Sequence, residues 1–151
     1  MLNDLDQLRR QILEQPLRIW SHGTESPDRG AYLACFQLIL ERCNPNVPGR
    51  FGRTILHDVA GSREHVTPQK RVAFATMLLD DGARVDLRDD LLRSTPLGWA
   101  CRWGRIELAD LLLRRAADPD EADADSWATP EAWATKMGHA AILAMLPRRA
   151  A

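Results

Sequence analysis

The sequence has few of the residues that would cross-link a chain or anchor it in a membrane. Its three cysteines are Cys35, Cys43 and Cys101, and none belongs to a Cys-x-x-Cys pair. Neither a disulfide framework nor a zinc site is therefore predicted. No apolar run is long enough to span a bilayer, and the first residues are acidic where a secretory signal would be basic. We expect buried, reduced thiols in a cytoplasmic protein that is not inserted in a membrane.

Net charge is also nearly absent. The chain has 20 Lys and Arg residues against 21 Asp and Glu residues, which gives a formal charge of −1. Such a balance provides no general attraction to nucleic acid or to an anionic membrane surface, and we expect neither as a partner. A hydrophobic content of 45% over 151 residues is sufficient for one domain with a buried core.

Motifs of catalysis and cofactor binding are missing as well. The four histidines are His22, His57, His65 and His139. They show no metal-ligand spacing, and there is no nucleophile elbow and no phosphate-binding glycine loop. We predict no catalytic residue, no cofactor and no metal. Acidic runs such as Asp89-Asp90 are expected in solvated turns, where Asp often bonds to the local backbone.

What the sequence does contain is a central stretch with clear helix signals. Thr95 can cap a helix, and Pro96 suits the first helical position because it lacks an amide hydrogen. Gly104 predicts a break after about two turns. Residues 106–113 then form a second helix that is apolar on most of its circumference. The stretch predicts a helical hairpin that is buried between neighbours.

The same signals recur along the chain. Thr129-Pro130 and Gly138 repeat them 34 residues later, and an earlier copy begins at Thr54-Ile55-Leu56-His57. The segment at 78–83, Leu-Leu-Asp-Asp-Gly-Ala, also matches the segment at 112–117. This combination, over roughly residues 45–147, resembles the ankyrin repeat. The resemblance implies an all-α solenoid of stacked helical hairpins, with an N-terminal helical cap and short turns in place of strands.

The chain divides accordingly into one domain, 1–151, with four parts. We predict an N-terminal helical hairpin cap at 1–46, a first repeat at 49–86, a central repeat at 90–121 and a C-terminal capping repeat at 124–147. Glu131 stands where the earlier repeats have leucine, which is acceptable only at the end of a stack.

The first repeat carries an insertion at 61–70. Thr67-Pro68 within it is a plausible new helix start. Two interpretations are open. The insertion is either a tolerated lengthening of a surface loop, which costs little free energy, or a protrusion that contacts a partner.

The resemblance also implies a binding surface. Ankyrin stacks bind other proteins through a concave face, which is lined by the turn before each Thr-Pro and by the end of each first helix. By register, the turn candidates are Arg50, Phe51, Arg53, Leu91, Leu92 and Ser94, and the helix-end candidates are Arg102, Trp103, Lys136 and Met137. Many are apolar or Arg, as in interface cores, and we predict Trp103 as the hot spot. The alternative is that these side chains pack on one another across repeats, covered by Trp127.

We therefore predict a monomeric, non-enzymatic adaptor or regulator that binds another protein of unknown identity. The alternative function is a small enzyme or ligand-binding protein that uses the neighbourhood of His57, Asp58 and His65. It would need a pocket with converging polar groups at that place. The ankyrin pattern itself has histidine at the positions of His57 and His139, which favours a structural role for both.

Overall fold

The computed structural model describes residues 37–38, 40–41, 44–63 and 66–147. Within these residues it contains six α-helices and no strand. They are α1 (Ile55–Ala60), α2 (Pro68–Asp80), α3 (Pro96–Arg102), α4 (Ile106–Arg114), α5 (Pro130–Met137) and α6 (Ala140–Met145), preceded by a 3₁₀ turn at Arg50–Gly52. The predicted all-α architecture with short turns is confirmed.

The helices form three hairpins arranged in two layers. The inner layer consists of α1, α3 and α5, and the outer layer of α2, α4 and α6, with neighbours in contact within each layer. Between the layers lies a continuous core that includes Phe74, Leu97, Leu112 and Ile142. Of the predicted N-terminal cap at 1–46, only residues 37–38, 40–41 and 44–46 are described, and the Leu40 side chain is buried in this core.

The inner helices begin at the threonines that the sequence identifies. The Gly98 amide donates to Thr95 Oγ1 (3.3 Å) at the start of α3, and the Ala132 amide donates to Thr129 Oγ1 (3.1 Å) at the start of α5. A proline follows each threonine as the first helical residue. Each cap satisfies an amide that the helix cannot, so these two residues fix where both helices start.

The ends of the first two outer helices share one conformation. Gly82 follows α2 with a φ of 90°, and Ala116 takes the same place after α4 with a φ of 67°. The next amide then turns back to the helix, from Ala83 to Leu78 O (2.9 Å) and from Ala117 to Leu112 O (3.0 Å). This left-handed ending sets the direction of the chain as it leaves each hairpin.

The insertion lengthens both the loop and the outer helix of the first hairpin. As predicted, a helix starts at Pro68, with the Lys70 amide donating to Thr67 Oγ1 (3.2 Å). The helix α2 has 13 residues, whereas α4 has nine. The extra residues are therefore accommodated by extending existing elements of the hairpin.

Two buried arginines hold the described part of this loop against the fold. The Arg71 Nη2 atom donates to Arg63 O (2.8 Å), and the Arg105 Nη2 atom donates to Ser62 O (2.6 Å). Val66 is also buried. These contacts favour the structural interpretation of the insertion for the described residues; His65 lies outside them.

His57 joins the first hairpin to the second from the interior. Its Nδ1 accepts the Thr54 amide hydrogen at 3.0 Å, so the proton of the neutral ring is on Nε2. Nε2 donates to Ser94 O at 3.0 Å, and the ring lies edge-on to Trp99. Both nitrogens are occupied within the protein, which is the structural role favoured by the sequence.

The burial of His57 predicts a pH dependence of stability. Burial lowers the pKa of His57 from its usual 6.5, and the opposing effects of the Ser94 carbonyl and the Asp89 carboxylate are smaller. As the pH falls, the unfolded chain therefore takes up the proton before the folded chain does. The stability contributed by neutral His57 is present above about pH 6.5 and is lost as the pH falls below it.

We expect the free energy of unfolding to fall more steeply between about pH 7.5 and 5.5 in the wild type than in His57→Gln. Urea unfolding of both proteins across this range measures the difference. The substitution removes this titration and leaves the other ionisable groups in place. Parallel curves for the two proteins would show that His57 is not the buried neutral group described above.

Candidate interaction surface

The turns before α1 and α3 each carry an exposed apolar side chain. Phe51 is 46% exposed and Leu91 is 56% exposed. Phe51 has a φ of 59°, which is uncommon for a bulky residue, and the Arg50 guanidinium lies 4.9 Å from its ring centroid. The Asp90 amide donates to Phe51 O (2.7 Å) and so links the two turns. We call Phe51 and Leu91 the turn tips.

The buried carboxylate of Asp89 organises the turn that carries Leu91. Its Oδ2 accepts the amides of Leu91 (3.0 Å) and Leu92 (2.7 Å). Its Oδ1 accepts the Ser94 amide (3.0 Å) and the Trp99 indole N–H (2.9 Å). The expected bonds to local backbone are present. The expectation of a solvated side chain was wrong for Asp89, because these four donors replace water.

Ser94 does not lie on the surface, contrary to the prediction. It is completely buried, and its Oγ accepts the Trp133 indole N–H at 2.8 Å and lies 3.0 Å from Ala128 O. Gly98 stands where the first repeat has His57, and a Cβ there would lie 2.9 Å from Ser94 Cβ. The Ser94 side chain therefore lies where a side chain at Gly98 would be, and its hydroxyl joins the second and third hairpins.

Two other predicted turn residues are partly engaged within the protein. Leu92 is half-buried and packs against the core. Arg53 forms an ion pair with Asp58 (3.3 Å), and its guanidinium lies 5.8 Å from the Trp99 ring. Among the predicted turn residues, the exposed apolar surface therefore comes mainly from the turn tips.

The ends of α3 and α5 bring the four helix-end candidates together around the buried ring of Trp133. The Arg102 guanidinium lies 5.1 Å from the Trp103 ring and 4.7 Å from the Trp133 ring, with Nη1 3.8 Å from Met137 Sδ. The Lys136 ammonium lies 5.6 Å from the Trp133 ring. Trp103 and Met137 are 40% and 41% exposed. We call Arg102, Trp103, Lys136 and Met137 the helix-end patch.

Gly104 fixes the end of α3 and hence the position of this patch. It has a φ of 68°, and a Cβ there would lie 2.7 Å from the His139 ring. The His139 Nε2 atom lies 3.1 Å from Arg102 O, to which it can donate. The third hairpin therefore packs closely on the end of α3, and this contact holds Arg102 and Trp103 in place.

The alternative prediction was that the candidate side chains pack on one another across repeats, and the structure shows this only in part. Arg102 does join Trp103 to Trp133 and Met137, as described above. Trp127 packs edge-on against Trp133, at 6.0 Å between ring centroids, and is itself half exposed. About two fifths of Trp103 and of Met137 remains in water despite these contacts.

The neighbourhood of His57 offers little to a chemical reaction. His57 is completely buried, Asp58 pairs with Arg53, and His65 lies outside the described residues. Cys101 is buried as predicted, and burial raises the pKa of its thiol to about 12, which keeps it protonated and unreactive. In the described part of the chain, His, Cys, Asp and Glu form no cluster suited to a metal ion. None of the helices described there has the length and apolar character needed to cross a membrane.

Comparison with known families agrees with this geometry. The sequence profile described as "Ankyrin repeats (3 copies)" matches residues 28–123, which is more than half of the chain. No curated protein shows a significant match to the sequence. The profile match ends before α5 and α6, and the structure shows these helices stacked on α3 and α4 as a further hairpin. Ankyrin repeats are generic protein–protein interaction modules, and the chain belongs to the ankyrin-repeat family.

Proposed function

We propose that the chain is a non-enzymatic adaptor or regulator, which binds a protein partner through the turn tips and the helix-end patch. One observation carries the proposal. Phe51, Leu91, Trp103 and Met137 are large apolar side chains, and each keeps 40% or more of its surface in water. Exposure of this kind at the turns and inner-helix ends contributes little to folding, whereas aromatic, Met and Arg side chains are enriched in interface cores.

The competing function, an enzyme or ligand-binding protein at His57, Asp58 and His65, has less support. Because His57 lies in the interior with both ring nitrogens bonded, a substrate cannot reach it without disrupting the first two hairpins. The family is also typically non-enzymatic. We further propose that the protein acts as a monomer in the cytoplasm. The free thiol of Cys101 is of the kind that a reducing compartment preserves.

Trp103 is the residue that we expect to contribute most to binding. It follows the last residue of α3, and its ring is held by the Arg102 guanidinium on one side. A Trp side chain that is already oriented loses little conformational entropy when a partner covers it. Its truncation should therefore cost about 2 kcal/mol of binding free energy, or roughly thirtyfold in affinity.

The test compares the full chain with Trp103→Ala and with Ile106→Ala. Ile106 is 42% exposed at the start of the outer helix α4, so it matches Trp103 in exposure but lies in the other layer. Each protein is used to recover partners from the native cell, and recovery is quantified by mass spectrometry. We expect a partner that Ile106→Ala retains and Trp103→Ala loses, with both variants folded. Equal recovery by both variants would contradict the proposed surface.

A further inference from the structure

Arg102 and Lys136, the two cations of the helix-end patch, form no ion pair within the described part of the chain. Five other arginines do form ion pairs: Arg84 with Asp86, Arg88 with Asp123, Arg93 with Asp125, Arg114 with Asp110 and Arg115 with Asp80. Arg102 and Lys136 instead both lie against the ring of Trp133. Two positive charges thus lie against one ring, and neither pairs with a carboxylate of the residues that the structure describes.

The hydrogen-bond donors of Arg102 also lack an oxygen acceptor among the described residues. Its Nε is shielded from water, so only the two Nη groups are available to a ligand, and Nη1 lies 3.8 Å from the sulfur of Met137, a weak acceptor. A guanidinium presents its donors in a planar fork, which fits a carboxylate through two parallel bonds. The guanidinium carbon lies 5.1 Å from the Trp103 ring centroid and 4.7 Å from the Trp133 ring centroid, so both rings restrict the positions that the fork can take.

The surroundings of the fork are apolar. Trp103 and Met137 flank Arg102, and both remain substantially exposed. A ligand that satisfied the guanidinium would therefore also cover an indole and a thioether. That combination favours a carboxylate that is followed or preceded by an apolar side chain, rather than a lone small anion.

We infer that the helix-end patch recognises an acidic segment of the partner, in which an Asp or Glu binds Arg102 and a neighbouring apolar side chain covers Trp103 and Met137. Lys136 provides a second positive charge for a further acidic residue. This inference rests on the proposed function and specifies its partner by chemistry. Single-stranded nucleic acid also uses cations and aromatic rings, but its backbone is charged at every nucleotide and is bound along an extended basic groove. The helix-end patch has two cations, on a chain with a formal charge of −1, and so fits a short acidic segment better than a phosphate chain.

The inference is tested with displayed random short peptides, selected on the immobilised full chain. We expect the selected peptides to be enriched in Asp or Glu beside aromatic or aliphatic residues. Their affinity should fall about tenfold or more in Arg102→Gln, because a charge-assisted hydrogen bond is lost. Arg102→Lys, which keeps the charge but loses the fork, should also weaken binding. Arg114→Gln removes an exposed charge of the outer layer and should bind like the wild type.

The outcomes separate the inference from the proposed function. Selected peptides without acidic residues, or acidic peptides that bind Arg102→Gln as tightly as the wild type, would overturn the inference. If either kind of peptide still bound Trp103→Ala more weakly than the wild type, the proposed surface would stand. Absence of any selected peptide, or peptides insensitive to both Trp103→Ala and Arg102→Gln, would count against both. A single-stranded oligonucleotide that bound more tightly than the peptides and displaced them would identify nucleic acid as the ligand and overturn the acidic segment.

Discussion

Leu112→Ala is expected to lower the free energy of unfolding by about 2–5 kcal/mol. Leu112 is completely buried in α4, the outer helix of the central hairpin, which contacts the outer helices on both sides. Truncation removes buried apolar surface and leaves a cavity between three hairpins that cannot all move inward. Repeat proteins derive much of their stability from such contacts between neighbours, so the effect should spread along the stack.

Urea unfolding of the wild type, Leu112→Ala and Trp103→Ala measures the loss of unfolding free energy in each variant. Trp103→Ala should cost much less, about 1 kcal/mol, because its side chain is 40% exposed. The reverse order, with Trp103→Ala the more destabilising, would mean that the inner and outer faces of the central hairpin are wrongly assigned.

Asp89→Ala is expected to be similarly damaging, at about 3–5 kcal/mol. The change leaves three backbone amides and the Trp99 indole N–H without their acceptor, the buried Asp89 carboxylate. Each unsatisfied buried donor costs about 1–3 kcal/mol, reduced where water can enter. Because the same turn carries Leu91, we also expect this turn tip to lose its fixed position.

Asp89→Asn is the matched control for this prediction. It keeps the size of the side chain and one acceptor oxygen, but it turns an NH₂ group toward two of the four donors. We expect a loss of stability in the same direction as that of Asp89→Ala. Asp90→Ala, which changes an exposed neighbour, should be close to neutral. Similar stabilities for Asp89→Ala and Asp90→Ala, measured by urea unfolding, would contradict the role assigned to the buried carboxylate.

Local signals in the sequence were sufficient to predict the hairpins. Thr95-Pro96 and Thr129-Pro130 place the starts of α3 and α5 correctly because capping depends only on residues a few positions apart. The start of α2 at Thr67-Pro68, inside the insertion, follows from the same chemistry. The predicted second helix at 106–113 forms as α4, but only Leu108, Ala109 and Leu112 are fully buried, and Ile106 is 42% exposed.

The interior positions of Ser94 and Asp89 could not be predicted in this way. Ser94 is buried because Gly98 and Trp133, one of them from the next repeat, leave it a space and a hydrogen bond. Asp89 is buried because the Trp99 indole reaches back to it from α3. Both depend on contacts between turn and helix, whereas family register alone places turn residues on the surface.

The position of the Arg102 side chain also depends on contacts with another hairpin, the third. Its position at the end of α3 follows from the sequence, but the Trp133 ring that orients it belongs to α5. That no carboxylate of the described residues pairs with it is a property of the folded chain. The register of the repeats thus predicts which residues form the helix-end patch. The stacking of the hairpins determines how these residues are arranged and that Arg102 lies against Trp133.

Site-specific photo-crosslinking in the native cell tests the central claim most directly. A photoreactive phenylalanine analogue is placed at Met137 in one copy of the chain and at Ile106 in another, so that Trp103 stays in place, and the covalently attached proteins are identified after irradiation. The proposed surface predicts that the Met137 position captures a specific partner and the Ile106 position does not. Capture of that partner at Ile106 and not at Met137 would show that binding occurs on the outer layer, and the surface described here would not be the binding site.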